Sequence, residues 1–88
     1  MPTISMFYGI MIRMFPGPSE HPPPRFHAVY GEHEAQFEIA TDRIIAGSLP
    51  SRQTKLVSAR AELHRDELSA NWDLLMNQEK PFRIDPLR

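Results

Sequence analysis

The sequence predicts a small α+β domain: an antiparallel sheet of three to four strands, a long or kinked C-terminal helix, and a short terminal strand. Three observations predict it. Apolar residues recur every second position through the first forty residues, which is the signature of half-buried strands. A proline-rich run, PGPSEHPPP at 16–24, interrupts that alternation, and proline lacks the N–H that a sheet ladder needs. From Pro50 the apolar spacing changes to three and four, the spacing of a helix with a core face. With 88 residues the chain has room for one core, so 1–88 reads as a single domain.

Taken in order, residues 3–15 alternate as one strand, with Ile4, Met6, Tyr8, Ile10, Ile12 and Met14 on one face. The proline run predicts an extended, polyproline-like loop. A second strand is expected at 25–30 and a third at 34–40, joined by a turn at Gly31, Glu32 and His33. Parity puts Phe26, Ala28 and Tyr30 on the same face as Ala35, Phe37 and Ile39. The register that achieves this pairs Tyr30 with Ala35, Ala28 with Phe37 and Phe26 with Ile39, and sets His27 opposite Glu38. A short fourth strand at 43–46, built on Arg43, Ile44 and Ile45, is an option, with Gly47 ending it.

The helix is expected at 50–77, with Pro50 suited to the first turn, where a missing N–H is no loss. Lys55, Ser58, Glu62, Arg65, Asp66, Ser69 and Asp73 form its solvent side. The apolar residues form two stripes. One is Leu56, Ala59, Leu63, Ala70 and Leu74; the other is Val57, Ala61, Leu68, Trp72 and Leu75. Between them run Arg60, His64, Glu67 and Asn71, spaced four, three and four apart and so stacked on one line. The expectation is that Leu56, Leu63 and Trp72 are buried while Glu62, Arg65 and Ser69 are exposed. A straight helix of this length would span roughly 42 Å, against a radius of gyration of about 12 Å for a domain this size. It must break near His64–Asp66, or one end must overhang onto a partner. Phe82, Arg83 and Ile84 alternate and predict the short strand at 82–84.

Composition excludes several function classes. There is no cysteine, which removes disulfides, thiolate metal sites and cysteine nucleophiles and suits a cytoplasmic protein. Ten basic residues against eleven acidic give a net charge of −1, so nucleic-acid binding has no support from charge. The apolar start carries Arg13 and lacks the pattern of a signal peptide, and no membrane span is expected. No phosphate loop, GxSxG or dinucleotide fingerprint is present, and no cofactor is implied. His21, His27, His33 and His64 lack the spacing of a ligand set, so no metal is expected.

Two polar groups could carry chemistry. In the first, His64 with Glu67 one turn away could serve as an oriented acid–base, with Arg60 to hold an anion and Asn71 on the same line. Buried polar groups usually find partners without being catalytic, and that ordinary reading is favoured. In the second, His27 stands with Arg25, Arg13 and Glu38, where a histidine opposite a glutamate is an ordinary cross-strand pair or a base held in one tautomer. If the helix covers the core face, the two groups lie on opposite faces of the sheet and do not form one active site.

The segments MPTISMFYGIMIRMF, HPPPRFHAVYGEHEA, GSLP and ELHRDELSANW resemble a bacterial family of unknown function, number 4160. The similarity covers nearly the whole chain, and its specific parts are PP-x-FHA-x-YGE and H-x-x-EL-x-x-NW. The family usually has histidine before Phe26, where this chain has Arg25, which weakens a paired-histidine site; His27 is retained, and His64, Leu68 and Trp72 match the helix pattern. The resemblance implies a small prokaryotic protein, often encoded beside a second small domain and proposed as a toxin–antitoxin-like module. It implies no established reaction.

The function expected is therefore an interaction protein, one half of such a gene pair, whose partner is a copy of itself or the neighbouring gene product. The surface offered would be the Val57, Ala61, Leu68, Leu75 stripe or the outer sheet face with Phe7, Met11 and Val29. The alternatives are a ribonuclease-like toxin, using His27 or His64 with Arg25 or Arg60, and a DNA-binding regulator. The last lacks a helix-turn-helix pattern and a basic recognition helix.

Overall fold

The computed structural model describes residues 3–15 and 23–84; most of the proline run, with His21, lies outside them. The chain is α+β: β1 (Thr3–Phe7), β2 (Ile10–Arg13), β3 (Arg25–Tyr30), β4 (His33–Glu38) and β5 (Ile44–Gly47), then α1 (Ser51–Leu63) and α2 (Arg65–Met76). The five strands form one antiparallel sheet in the order β1-β2-β3-β4-β5. The chain therefore meanders, each strand lying beside the next.

The expected single strand at 3–15 is a hairpin. Tyr8 and Gly9 both have positive φ (49° and 74°), the signature of a two-residue type I′ turn whose twist matches the flanking strands. Such a turn pairs Phe7 with Ile10 and Met6 with Met11, which reverses the parity that unbroken alternation implied. Met6 and Tyr8 are accordingly exposed, while Ile10, Ile12 and Met14 are buried. Ile4 regains the core because the register shifts between Thr3 and Ser5, and both Ile4 and Ser5 end up buried. An extra residue in one strand of a pair does this.

The β3–β4 hairpin is also tighter than expected. Gly31 takes φ 58° at the first position of a two-residue turn, the place where a II′ turn uses glycine. The register is Tyr30 with His33, Ala28 with Ala35, Phe26 with Phe37 and Arg25 with Glu38. This corrects the expected pairing by two residues: Tyr30 does not face Ala35, and His27 faces Gln36 rather than Glu38. The parity argument could not detect a shift of two, because such a shift leaves every side chain on its own face. Phe26, Ala28, Ala35 and Phe37 do point into the core, with the Phe26 and Phe37 rings stacked at 5.3 Å.

The short strand after Asp42 is present as β5, at the edge of the sheet, and Gly47 belongs to it. A Cβ on Gly47 would stand 2.2 Å from the Glu34 carbonyl oxygen, and its φ is 73°. No other residue fits that approach without moving β4.

The helix breaks at His64, whose φ of −113° and ψ of 24° leave the helical region. A straight helix from Ser51 to Met76 would be about 38 Å long, longer than the greatest extent of the molecule, 34 Å. The break keeps both halves over the sheet. Val57, Ala61, Leu68, Trp72 and Leu75 are all buried against Ile10, Ile12, Phe26 and Phe37. This second stripe, one of the two surfaces expected to be offered to a partner, is the core contact. Most of the first stripe faces outward: Leu63 is 66% exposed, Ala59 and Ala70 are exposed and Leu74 is half-buried, while Leu56 packs partly against the core. Leu63 was expected inside with Trp72, and only Trp72 is. Phe7, expected on the outer sheet face, is half-buried against the core, as the hairpin's parity requires. Arg65 and Ser69 are half-buried.

The tail makes no strand at 82–84, yet it joins the sheet edge. The Ile84 N–H donates to the Ile4 carbonyl at 2.8 Å, and Ile84 is buried. One ladder bond is too few for a strand, but it caps the open edge of β1.

Gly47→Ala should therefore lower stability by about 1–3 kcal/mol through strain at a positive-φ site. A urea midpoint unchanged from the parent protein would contradict the close approach to Glu34.

Candidate functional site

Arg60, His64, Glu67 and Asn71 do share one side of the broken helix, but the structure gives them different tasks. His64 sits at the junction of α1 and α2. Its N–H donates to the Arg60 carbonyl at 3.0 Å, and its own carbonyl accepts from the Leu68 N–H at 2.9 Å. The junction residue is thus tied by its backbone to both helices. Its ring Nδ1 lies 2.6 Å from Glu67 Oε1. A carboxylate only accepts, so in this contact Nδ1 carries the proton and Nε2 is the nitrogen left outside it. Nε2 is buried and meets no hydrogen-bond partner among the described residues.

Arg60 lies one turn earlier. Its guanidinium carbon stands 4.7 Å from the Phe7 ring centre and 5.1 Å from that of Tyr8, a double cation–π contact. The β1–β2 turn, which the sequence did not reveal as a turn, brings those two rings there. The Nε and Nη1 atoms of Arg60 are buried and also lack a hydrogen-bond partner among the described residues. Both residues line a cavity of about 30 Å³ between helix and sheet, enough for one or two water-sized groups. Its remaining wall is largely apolar and includes Phe7, Ile12, Phe26, Val57 and Leu68.

Asn71 is not part of this pocket's lining. It is fully buried and holds the tail: its Nδ2 donates to the Phe82 carbonyl and its Oδ1 accepts from the Phe82 N–H, both at 2.9 Å. An asparagine amide presents the same donor–acceptor pair as a strand backbone, so it serves as a one-residue ladder for residues 82–84. Spacing along the helix placed Asn71 on the seam but could not distinguish a ligand-facing amide from a structural one.

The second cluster lies on the other face of the sheet. Arg13, His27 and Gln36 form one cross-strand row, beside the core row of Ile12, Ala28 and Ala35. His27 is buried because the Phe15 ring packs edge-on against it, with centres 4.3 Å apart. Its carboxylate partner is Glu34, at 3.1 Å from Nδ1, a residue the sequence reasoning missed. The two-residue turn is the signal that finds it, since that register sets Glu34 across from Val29, diagonal to His27. Glu38 pairs across from Arg25 and accepts from the Thr41 hydroxyl at 2.8 Å. The sheet thus separates His27 from His64, and the two histidines cannot act on one group.

Arg65 was also missed. Instead of lying in solvent, it ties the helix break to the β4–β5 loop: Nε donates to the Ile39 carbonyl at 3.1 Å, and the guanidinium pairs with Asp42. Ser58 donates to the Asp42 carbonyl at 2.8 Å, and Asp42 itself has a φ of 61°. Among the described residues no group of three or more histidines and carboxylates stands together as a metal site would.

Residues 9–73 match the sequence model of a family described as Domain of unknown function (DUF4160). No curated protein and no solved structure matches.

Asn71→Ala should remove both bonds to Phe82 and cost about 1–3 kcal/mol, the net worth of two hydrogen bonds. Hydrogen exchange at the Ile84 amide should accelerate more than exchange in β3. Unchanged protection at Ile84 would show that the tail holds without Asn71.

Proposed function

We propose that this chain, which belongs to the Domain of unknown function (DUF4160) family, works by binding another protein, as one half of a toxin–antitoxin-like gene pair in the bacterial cytoplasm. The observation that carries this reading is the outward apolar stripe. Ala59 and Leu63 run along α1 on the side turned away from Val57 and Ala61, Ala70 and Leu74 continue the stripe on α2, and Leu56 at its start packs partly on the core. A helix that is apolar on two sides is ordinarily covered on two sides. Single exposed leucines are common on surfaces, but Leu63 stands at helical spacing with the exposed Ala59 and Ala70 and the half-buried Leu74. Tyr8, 64% exposed, borders the N-terminal end of the stripe beside Leu56, and tyrosine is among the residues that anchor interfaces. The near-neutral charge agrees with a protein partner better than with a nucleic-acid backbone. No described helix is long and apolar enough to cross a membrane.

A second reading, acid–base chemistry by a toxin, draws on the short His64–Glu67 contact. Against it stand the small apolar cavity and the separation of His64 from His27. A DNA-binding role is less favoured still, because α1 and α2 meet at one residue and not through the turn of a helix-turn-helix.

One experiment separates these readings: co-expression with the neighbouring reading frame, followed by sedimentation and a growth assay. Leu63→Glu should abolish a complex and leave the isolated fold within about 0.5 kcal/mol of the parent, as for most surface changes. A complex that survives Leu63→Glu would remove the stripe from the interface. Toxicity lost in His64→Gln while the complex persists would favour the chemical reading.

A further inference from the structure

We propose that the groove between β1 and α2 is a docking site for residues 82–84 of a second copy of this chain, so that two molecules pair by exchanging C-terminal arms. The site is distinct from the outward stripe of Ala59, Leu63 and Ala70. The arm already seated there shows what the groove accepts. Asn71, fully buried, directs its whole amide at main chain, donating to the Phe82 carbonyl and accepting from the Phe82 N–H, both at 2.9 Å. The Ile84 N–H donates to the Ile4 carbonyl at 2.8 Å. Its side chain is 3% exposed, in a wall shared with Ile12, Val57 and Leu68. Phe82, at 41% exposed, and Arg83, also exposed, contribute main chain more than side chain. The groove thus reads an extended backbone and one aliphatic side chain two residues on, as strand-addition sites do. An identical arm from another molecule meets the same partners in the same geometry.

The linker decides which molecule supplies the arm. α2 ends with the Gln78 N–H on the Leu75 carbonyl at 3.0 Å and the Glu79 N–H on the Leu74 carbonyl at 2.7 Å, a Schellman cap whose left-handed residue is normally glycine. Here it is Gln78, with φ 59°, and a side chain is strained in that region. A short hinge under strain favours exchange, because extending the linker releases the strain while every arm contact is remade in the partner. Residues 79 and 80 are exposed, so extending them uncovers no core. Fully extended, 77–81 reaches about 17 Å. β1 is an edge strand, and among the described residues only Ile84 pairs with its outer side, so a second molecule can approach edge to edge. The attached arm competes at an effective concentration on the order of millimolar. Monomer therefore prevails in dilute solution, and the exchanged dimer grows as the protein concentration approaches that value.

The test uses isotope-labelled and unlabelled full-length chains, mixed in urea and refolded together at about 1 mM, the order of the arm's effective concentration. Isotope-filtered NOE spectra should show contacts between the Ile84 methyls of one chain and the Ile12 or Leu68 methyls of the other. Sedimentation equilibrium should show a dimer fraction that rises with concentration. Gln78→Gly relaxes the hinge without touching groove or arm, and should weaken the dimer about tenfold or more, as relief of strain at two hinges requires. A chain that stays monomeric at that concentration, or a dimer whose Ile84 contacts all lie within one chain, overturns the proposal. So does a Gln78→Gly dimer as tight as the parent's. A dimer without interchain Ile84 contacts that Leu63→Glu abolishes places the pairing on the outward stripe, which contradicts arm exchange and leaves the reading of the stripe standing.

Discussion

From Ser51 to Met76 the chain has to cover one face of a five-stranded sheet, and a straight helix would run past the edge of the molecule. The break at His64 resolves this. With φ −113° and ψ 24° the junction redirects α2, so that Val57 and Ala61 before it and Leu68, Trp72 and Leu75 after it reach the same core. Fully burying each large side chain contributes about 1.5–3 kcal/mol, a substantial share for a domain of this size. The break is held from two directions. Glu67 binds the His64 ring, and Arg65 reaches Ile39 and Asp42 beyond β4. The residues that looked most like chemistry in the sequence are therefore concentrated where the fold needs a joint.

That concentration explains which features the sequence disclosed. Alternation and helical spacing revealed the α+β class, the strand at 25–30, the core faces of Phe26, Ala28, Ala35 and Phe37, and a break near His64–Asp66 as one of two ways to accommodate the helix's length. Turn chemistry was harder. Tyr8-Gly9 lies within an unbroken alternating run, and a non-glycine residue at positive φ is uncommon, so nothing in composition marked the hairpin. The β3–β4 register missed by two residues for a related reason, because parity is blind to even shifts. The two helix stripes were both visible, yet spacing alone could not say which one faced home. That depends on the direction α2 takes after His64.

The candidate site was legible as a line of residues and not as a division of labour. Asn71 and His64 stand seven residues apart on one side of the helix, but the amide serves the tail at Phe82 and the ring lines a cavity. The difference comes from what lies opposite each: a returning backbone in one case, and the Phe7–Tyr8 turn with the sheet core in the other. His27 shows the same limit. Its partner is Glu34 because a two-residue turn sets the register, and the Phe15 ring, twelve residues away in sequence, packs against it.

The core packing and the outward stripe both depend on α2 turning at His64, since a straight helix would present different residues to the core, to the cavity and to solvent. Spin labels at Lys55 and Asp73, both exposed, test this directly through their electron–electron distance. In a straight helix the two Cα atoms would be about 27 Å apart. A turn at His64 predicts a single distribution centred well below the value given by the same label pair on a straight reference helix. A distribution centred on the straight-helix value would contradict it, and with it the assignment of one stripe to the core and the other to a partner.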